Sequence, residues 1–247
     1  MRVVILQPGY LPWLGFFDLM YRADIFVILD DVQYTIRDWR SRNRVKTPDG
    51  ILWLTVPIKA KGIREKLIND VEIDTTQQWQ KNHLKSLESF YKKTKYFDEI
   101  INVVSEVYKK NYNFLIDIDM DIILKIYHYF YLKTKICFSS DILSTGKKDE
   151  KLLSICKHLN ATHYLSGNAA QEYLREPIFL TEGITVEWHN YRHPYYNQLW
   201  LKEQGFISHL SIVDLLFNHG PDSLAILTNQ KVIPAPEGIK IRRADEV

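Results

Sequence analysis

Cysteine is nearly absent from this chain of 247 residues: Cys137 and Cys156 lie in apolar surroundings, and neither stands in a Cys-x-x-Cys or Cys/His metal spacing. That excludes a disulfide-stapled scaffold and a zinc module, and a reducing compartment is the simplest setting. An excess of one charge is also missing, since 32 Lys and Arg face 30 Asp and Glu for a net charge of +2. The balance gives no global electrostatic reason to expect nucleic acid. No run approaches the ~20 apolar residues that span a bilayer, and one Arg before a short strand-like run does not make a signal peptide. The expectation is a cytoplasmic chain with no membrane span. There is no internal repeat, no low-complexity tract and no Gly-x-Ser-x-Gly elbow of a serine hydrolase. Asp117, Asp119 and Asp121 alternate like metal ligands, yet no glycine turn or distal glutamate completes a calcium loop, so no metal is expected.

What is present is apolar and aromatic: 46% hydrophobic residues, with 15 Tyr and 6 Trp. A chain of this length buries a core as one domain or two closely packed ones. Val3 to Leu6 reads as a buried strand that runs into Gln7-Pro8-Gly9-Tyr10-Leu11-Pro12-Trp13-Leu14-Gly15-Phe16-Phe17. A strand that stops at Gln-Pro-Gly and restarts as a helix after Pro12 leaves backbone N–H groups free to meet an anionic ligand. Ile25 to Leu29 is a second buried run, so the start reads as β-α-β with parallel strands. Parallel strands place the ligand crevice at their carboxyl ends, where Gln7 and Asp31 are expected to approach each other.

These patterns predict an α/β fold, a HUP-like or Rossmann-like three-layer parallel sheet with a helical insertion. Residues 1–76 form the N-terminal α/β part, including the Gln-Pro loop and a basic segment from Gln33 to Lys66 with nine Lys or Arg residues. A strand is expected at Leu52 to Pro57, after the Asp49-Gly50 turn. Residues 77–132 carry helical spacing, with Trp79, Leu84, Leu87 and Tyr91 on one face. Residues 133–220 resume the α/β pattern and complete the same domain, and residues 221–247 form an extended tail.

Three constellations carry candidate chemistry. In the first, Gln7, Tyr10, Trp13, Gly15 and Phe16 form a loop-to-helix start that accepts a phosphate while Trp13 or Tyr10 stacks on a base or sugar. A tight turn with aromatics filling space between sheet and helix is the plainer alternative. The second joins Asp31 and Gln33, able to bind hydroxyls or act on a proton, to Arg42, Asn43 and Lys46, which suit a phosphorylated substrate. A solvated basic loop would look the same. The third is Tyr164-Leu165-Ser166-Gly167-Asn168, then His189, His193 and Gln198, then Asp214 and Asn218. Ser166 ends a predicted strand before Gly167, His193 is a candidate acid or base, and Asp214 is as able to brace a loop as to touch substrate.

On these residues the chain resembles the WbqC-like family of bacterial proteins. The resemblance is carried by Gln7 to Phe17, by Leu29 to Tyr34 with Trp39 and Arg42 to Lys46, and by Trp53 to Pro57. It continues through Tyr164 to Gly167, His193 to Tyr195 with Gln198, and Leu210 to Asn218, covering the chain to about Gly220. It implies a role beside bacterial surface-polysaccharide genes, and specifically transfer of an amino-acyl group, glycine, to an amino sugar or nucleotide-linked amino sugar of an O-antigen. In that mechanism Asp31 is base or hydroxyl ligand, Gln7 and Asn43 orient the substrate, Arg42 and Lys46 hold phosphate, and Ser166 or neighbouring amides receive the oxyanion. No cofactor is certain; ATP is the one candidate, and nucleic acid enters only as an aminoacyl-tRNA donor. A more distant similarity, to the HIGH-motif nucleotidyl transferases and pantoate ligases, fails at the phosphate-binding histidines, where Pro12 and Phe16 stand. A nucleotide-sugar binding protein without catalysis and a HUP-type nucleotidyl transferase or ligase stay as alternatives.

Overall fold

The apolar run at the N-terminus becomes β1 (Arg2–Leu6), whose side chains part to opposite faces with the two-residue period of a strand. Val4 enters the larger of two hydrophobic clusters, while Val3 and Ile5 enter the smaller. The chain then forms α1 (Leu14–Arg22) and returns as β2 (Ile25–Ile28), where Phe26 and Ile28 join the larger cluster and Val27 the smaller. Both faces of the sheet are therefore covered, as continuous apolar strands require. The structure is a computed structural model that describes residues 1–247.

After β2 the chain leaves the sheet for a hairpin, β3 (Arg42–Thr47) and β4 (Gly50–Thr55), paired antiparallel with Arg42 opposite Thr55 and Thr47 opposite Gly50. The stretch Arg42 to Lys46 of the basic segment is thus a strand, not the solvated loop that stood as the plainer alternative. Three helices follow, α2 (Trp79–Tyr91), α3 (Phe97–Tyr108) and α4 (Leu115–Tyr129), and their apolar faces pack into the larger cluster. The α/β alternation resumes with β5 (Lys135–Phe138), α5 (Asp149–His158), β6 (His163–Ser166), α6 (Glu176–Thr181) and β7 (Thr185–Trp188). Leu152 and Ile155 of α5 and Phe179 of α6 fill the smaller cluster on the other face. A short α7 (Leu201–Gln204), β8 (Phe206–Ser208), α8 (Ile212–His219), α9 (Ser223–Leu227) and β9 (Ile241–Arg243) complete the chain.

The central sheet has five parallel strands in the order β5-β2-β1-β6-β7. The chain builds outward from β1 through β2 to β5, then crosses back to build β6 and β7 on the other side. This is a Rossmann-like three-layer α/β fold, and its strand order reverses between β1 and β6. The C-terminal residues do not trail away throughout: β9 pairs in parallel with β8, and Ala244 is buried with Ile207 and Leu210. That small apolar contact, with no sequence pattern to announce it, pins the expected tail to the body.

Candidate functional site

Loops leaving β1 and β6 diverge at the reversal of strand order, where open α/β sheets place their ligand crevice. A cavity of about 530 Å³ lies there, lined by Gln7 and Gly9 after β1, Gly167 and Asn168 after β6, and His189 and Tyr191 after β7. The remaining wall comes from outside the sheet. Trp39, Arg40, Asn43 and Arg44 belong to the approach to β3 and to its start, and His209, Arg243 and Asp245 to the segments around β8 and β9.

The loop after β1 is held in shape by its neighbours. Leu11 takes a left-handed φ of 46°, a conformation costly for a residue with a side chain. Asn43 compensates: its side-chain amide donates to the carbonyls of Leu11 at 2.7 Å and Tyr10 at 3.3 Å, while its oxygen accepts from the Arg44 N–H at 2.8 Å. Tyr10 N–H donates to the Trp39 carbonyl at 3.0 Å, which laces the loop to the segment before β3. Trp13 precedes α1 and lays its ring over Gly15, edge-on to Tyr191 at 5.3 Å and parallel to His209 at 6.4 Å.

Three guanidinium groups reach the cavity. Arg40 donates from Nη2 to Gln7 Oε1 and pairs through Nη1 with Asp38 at 3.0 Å, yet its Nε is buried without a partner. Burial draws its pKa below the usual arginine value, partly offset by Asp38. Arg44 stacks on Trp39 at 4.8 Å and Trp53 at 5.0 Å, and its Nε is likewise unpartnered. Arg243 pairs with Asp245 at 3.2 Å. Desolvation, reinforced by Arg243, lowers the pKa of His209, whose backbone is also left-handed at φ 61°.

At the other end of the cavity His189 Nε2 lies 2.6 Å from Asp18 Oδ2, an oxygen shared with Arg22 Nε at 2.6 Å. Asp18 is fully buried on α1. The His189 ring stacks on Tyr191 with centroids 5.1 Å apart and planes 25° from parallel. No group of three His, Cys, Asp or Glu side chains is close enough to hold a metal ion.

Of the residues singled out in the sequence, Gln7, Trp13, Phe16, Asn43, Gly167, Asn168 and His189 line this cavity, and Gly15 supports Trp13 from beneath. The others lie elsewhere. Tyr10 is fully buried, its hydroxyl bonded to His83 Nδ1 at 2.8 Å and to the Tyr108 hydroxyl, so it packs the core instead of stacking on a ligand. Asp31 follows β2, on the opposite side of β1 from β6, and pairs with Lys151 at 2.5 Å and Ser139; it does not meet Gln7 across a crevice. Burial raises the Asp31 pKa, but the Lys151 and Ser139 hydrogen bonds outweigh it and leave the carboxyl below its ordinary value. Gln33 donates to the Arg64 carbonyl in an exposed turn. Arg42 turns onto Trp53 at 4.3 Å and the Arg37 carbonyl, away from the cavity.

Lys46 is fully buried, donating to the Gly205 carbonyl at 2.6 Å and to Gln198 at 3.1 Å, so it is not placed to hold phosphate. Gln198 and Asp214 belong to the same internal network: Asp214 accepts from Tyr91 at 2.7 Å and from Tyr196 and Gln198 at 2.9 Å. Asn218 donates to the Asp214 carbonyl one turn back along α8. Ser166 is buried against the Tyr164 hydroxyl. His193 uses both ring nitrogens on backbone: Nδ1 donates to the Pro194 carbonyl at 2.9 Å and Nε2 accepts from the His209 N–H at 3.1 Å. Burial, then the neighbouring His209, pushes its pKa down to about 3, which leaves it neutral and structural.

Arg40, His209, Arg243, Asp245 and Asp18 carry no candidate role in the sequence, whereas Arg44 enters there only within the basic run Arg42 to Lys46 and His189 only as a member of the third constellation, without a stated role. His189 had a signal, since it directly follows the strand Thr185–Trp188. Asp18 had one too, as a lone acid among Phe16, Phe17, Leu19 and Met20.

The family model of the WbqC-like protein family matches residues 7–226. A protein of Mycobacterium tuberculosis described as "Uncharacterized protein Rv1507c" is 38% identical over 224 residues, covering 90% of this chain and 95% of that protein. No solved structure matches the chain.

Proposed function

This chain belongs to the WbqC-like protein family, and from that premise we propose that it transfers an amino-acyl group, glycine, to the amine of a nucleotide-linked amino sugar in bacterial surface-polysaccharide biosynthesis. The observation that carries this reading is Arg40, a half-buried arginine in the cavity wall whose buried Nε has no partner in the protein. A buried donor without an acceptor is costly, and a phosphate oxygen is the acceptor a guanidinium fork suits best. Arg44 and Arg243 add two more cationic groups, as the two phosphates of a nucleotide sugar need. Trp39 stands 43% exposed at the rim and offers a stacking face for the base. A cavity of about 530 Å³ falls within the range of small-molecule sites, ~300–1,000 Å³.

The test is to incubate the protein with UDP-glucosamine and a glycyl donor, either free glycine with ATP or glycyl-tRNA, and to follow the mass of the sugar nucleotide and the release of AMP. A gain of one glycyl residue supports transfer. Binding with no new mass makes the protein a nucleotide-sugar binding module, and pyrophosphate release without acylation makes it a nucleotidyl transferase or ligase.

A further inference from the structure

We propose that His189 is the catalytic proton acceptor of this cavity and that Asp18 is its positioning residue, an assignment that rests on the transfer reading. The two residues come from different elements, Asp18 from α1 and His189 from the end of β7, and meet at 2.6 Å. The carboxylate of Asp18 can only accept, so it holds a proton on His189 Nε2, and the neutral ring then carries its lone pair on Nδ1. Nδ1 has no hydrogen-bond partner in the protein, and His189 lines the cavity. The His189 N–H donates to the Ser166 carbonyl at 2.9 Å and the ring rests on Tyr191, so both backbone and ring plane are held.

His193 is the instructive contrast. Both of its nitrogens are consumed by backbone groups, whereas His189 has one nitrogen oriented by an acid and the other free. An acid-oriented imidazole with a free nitrogen, on a residue that lines a ligand cavity, is the arrangement of a general base.

In the step this arrangement serves, the neutral amine nitrogen of the sugar adds to the carbonyl carbon of an activated aminoacyl donor: an ester, thioester or acyl phosphate. The new C–N bond forms as the bond from carbonyl carbon to the leaving oxygen or sulfur breaks, and the leaving atom takes that electron pair. The amine proton passes to His189 Nδ1, giving an imidazolium beside the Asp18 carboxylate. Transfer of that proton to the leaving group or to water restores the neutral ring. No oxidant or reductant is needed.

The experiment compares the wild-type protein with His189→Gln and Asp18→Asn. UDP-glucosamine binding is measured by calorimetry, single-turnover glycyl transfer by mass, and the imidazole nitrogens by 15N NMR with and without UDP-glucosamine. The expected result is a transfer rate about 10²–10⁴-fold lower in His189→Gln with binding retained. In the wild type, Nδ1 should be unprotonated and its resonance should move on binding; Asp18→Asn should lose that tautomer preference. Unimpaired transfer in a folded His189→Gln protein, or a proton on Nδ1, overturns the proposal. A wild-type protein that binds UDP-glucosamine but transfers nothing overturns the transfer reading. The paired His189 and Asp18 then survive as a ligand-facing acceptor only if Nδ1 still shifts on binding, and fall with that reading if it does not.

Discussion

Gly15 lies directly beneath the indole of Trp13, so close that a Cβ at residue 15 would stand 2.1 Å from the Trp13 Cη2 atom. The absence of a side chain at this point in the first turn of α1 is what lets Trp13 form part of the cavity wall. Gly15→Ala must therefore displace the ring or the helix start. Overpacking of this kind costs about 1–3 kcal/mol, and UDP-glucosamine affinity should fall about tenfold, equal to ~1.4 kcal/mol. Denaturant titration and calorimetry check both; an alanine variant with wild-type affinity would remove Trp13 from the binding surface.

Much of the fold is legible in the sequence because fully buried parallel strands read as short apolar runs. Val3 to Leu6 and Ile25 to Leu29 both announce themselves, and the strands begin within a residue of those positions. What a run cannot state is which side of β1 its strand will occupy. Asp31 and Gly167 both follow strands that pair with β1, but β2 and β6 lie on opposite sides of it, and the cavity that Gln7 lines is on the β6 side. Arg44 and Lys46 illustrate a second limit. They share one face of β3, yet a strand rise of about 6–7 Å over two residues separates a guanidinium at the cavity from an ammonium inside the Gln198–Asp214 network. Arg243 and Asp245 reach the wall from the far end of the chain through β8–β9 pairing, for which no local pattern exists.

Asp31 provides a negative control for the location of the site. Its carboxylate is held by Lys151 and Ser139 outside the cavity lining. Asp31→Asn should leave UDP-glucosamine affinity unchanged and cost about 1 kcal/mol of stability, since the ion pair is partly exposed. A large loss of affinity in this variant would shift the site toward β2.

Acidification should expose two buried histidines. Burial lowers the pKa of His83 from 6.5 to about 4 and, with His209, that of His193 to about 3. The unfolded chain binds these protons near pH 6.5, so it gains protons over the folded state as pH falls below that value. Stability is fully present above pH 6.5 and is lost as pH drops toward 4 and then 3. For His83 the shift corresponds to about 3 kcal/mol. Urea midpoints between pH 7 and 4 should fall less steeply in His83→Gln, which keeps a partner for the Tyr10 hydroxyl.

Lys46 tests the internal network apart from the cavity. Its ammonium donates to Gly205 and Gln198 beside the fully buried Asp214. Removing the ammonium leaves the buried Gly205 carbonyl without its donor and takes away a cation that favours the Asp214 carboxylate, at a cost of about 1–3 kcal/mol for the unsatisfied group. Lys46→Met should therefore lower the urea midpoint sharply, while protein that remains folded binds UDP-glucosamine as before. Loss of binding at unchanged stability would place Lys46 in the site after all.

The C-terminal strand is open to a clean dissection because its contribution to the core is small. Ala244 packs with Ile207 and Leu210 beside the partly buried Ile51, apart from the 44-residue cluster that holds the sheet, the helices α2 to α4 and α8. Removing residues 239–247 should leave the protein folded, with modest loss from exposing Ile207 and Leu210, but it takes Arg243 and Asp245 out of the cavity wall. A hydrogen bond from a guanidinium to a phosphate contributes about 1.5–3 kcal/mol, so UDP-glucosamine affinity should fall at least tenfold. Arg243→Ala in the full chain should reproduce most of that loss. The affinity that remains should depend less steeply on ionic strength, because one cation facing the phosphates is gone. If the truncated protein and Arg243→Ala both bind as tightly as the full chain, the phosphates sit against Arg40 and Arg44 alone, and the C-terminal strand serves only to cover the cavity.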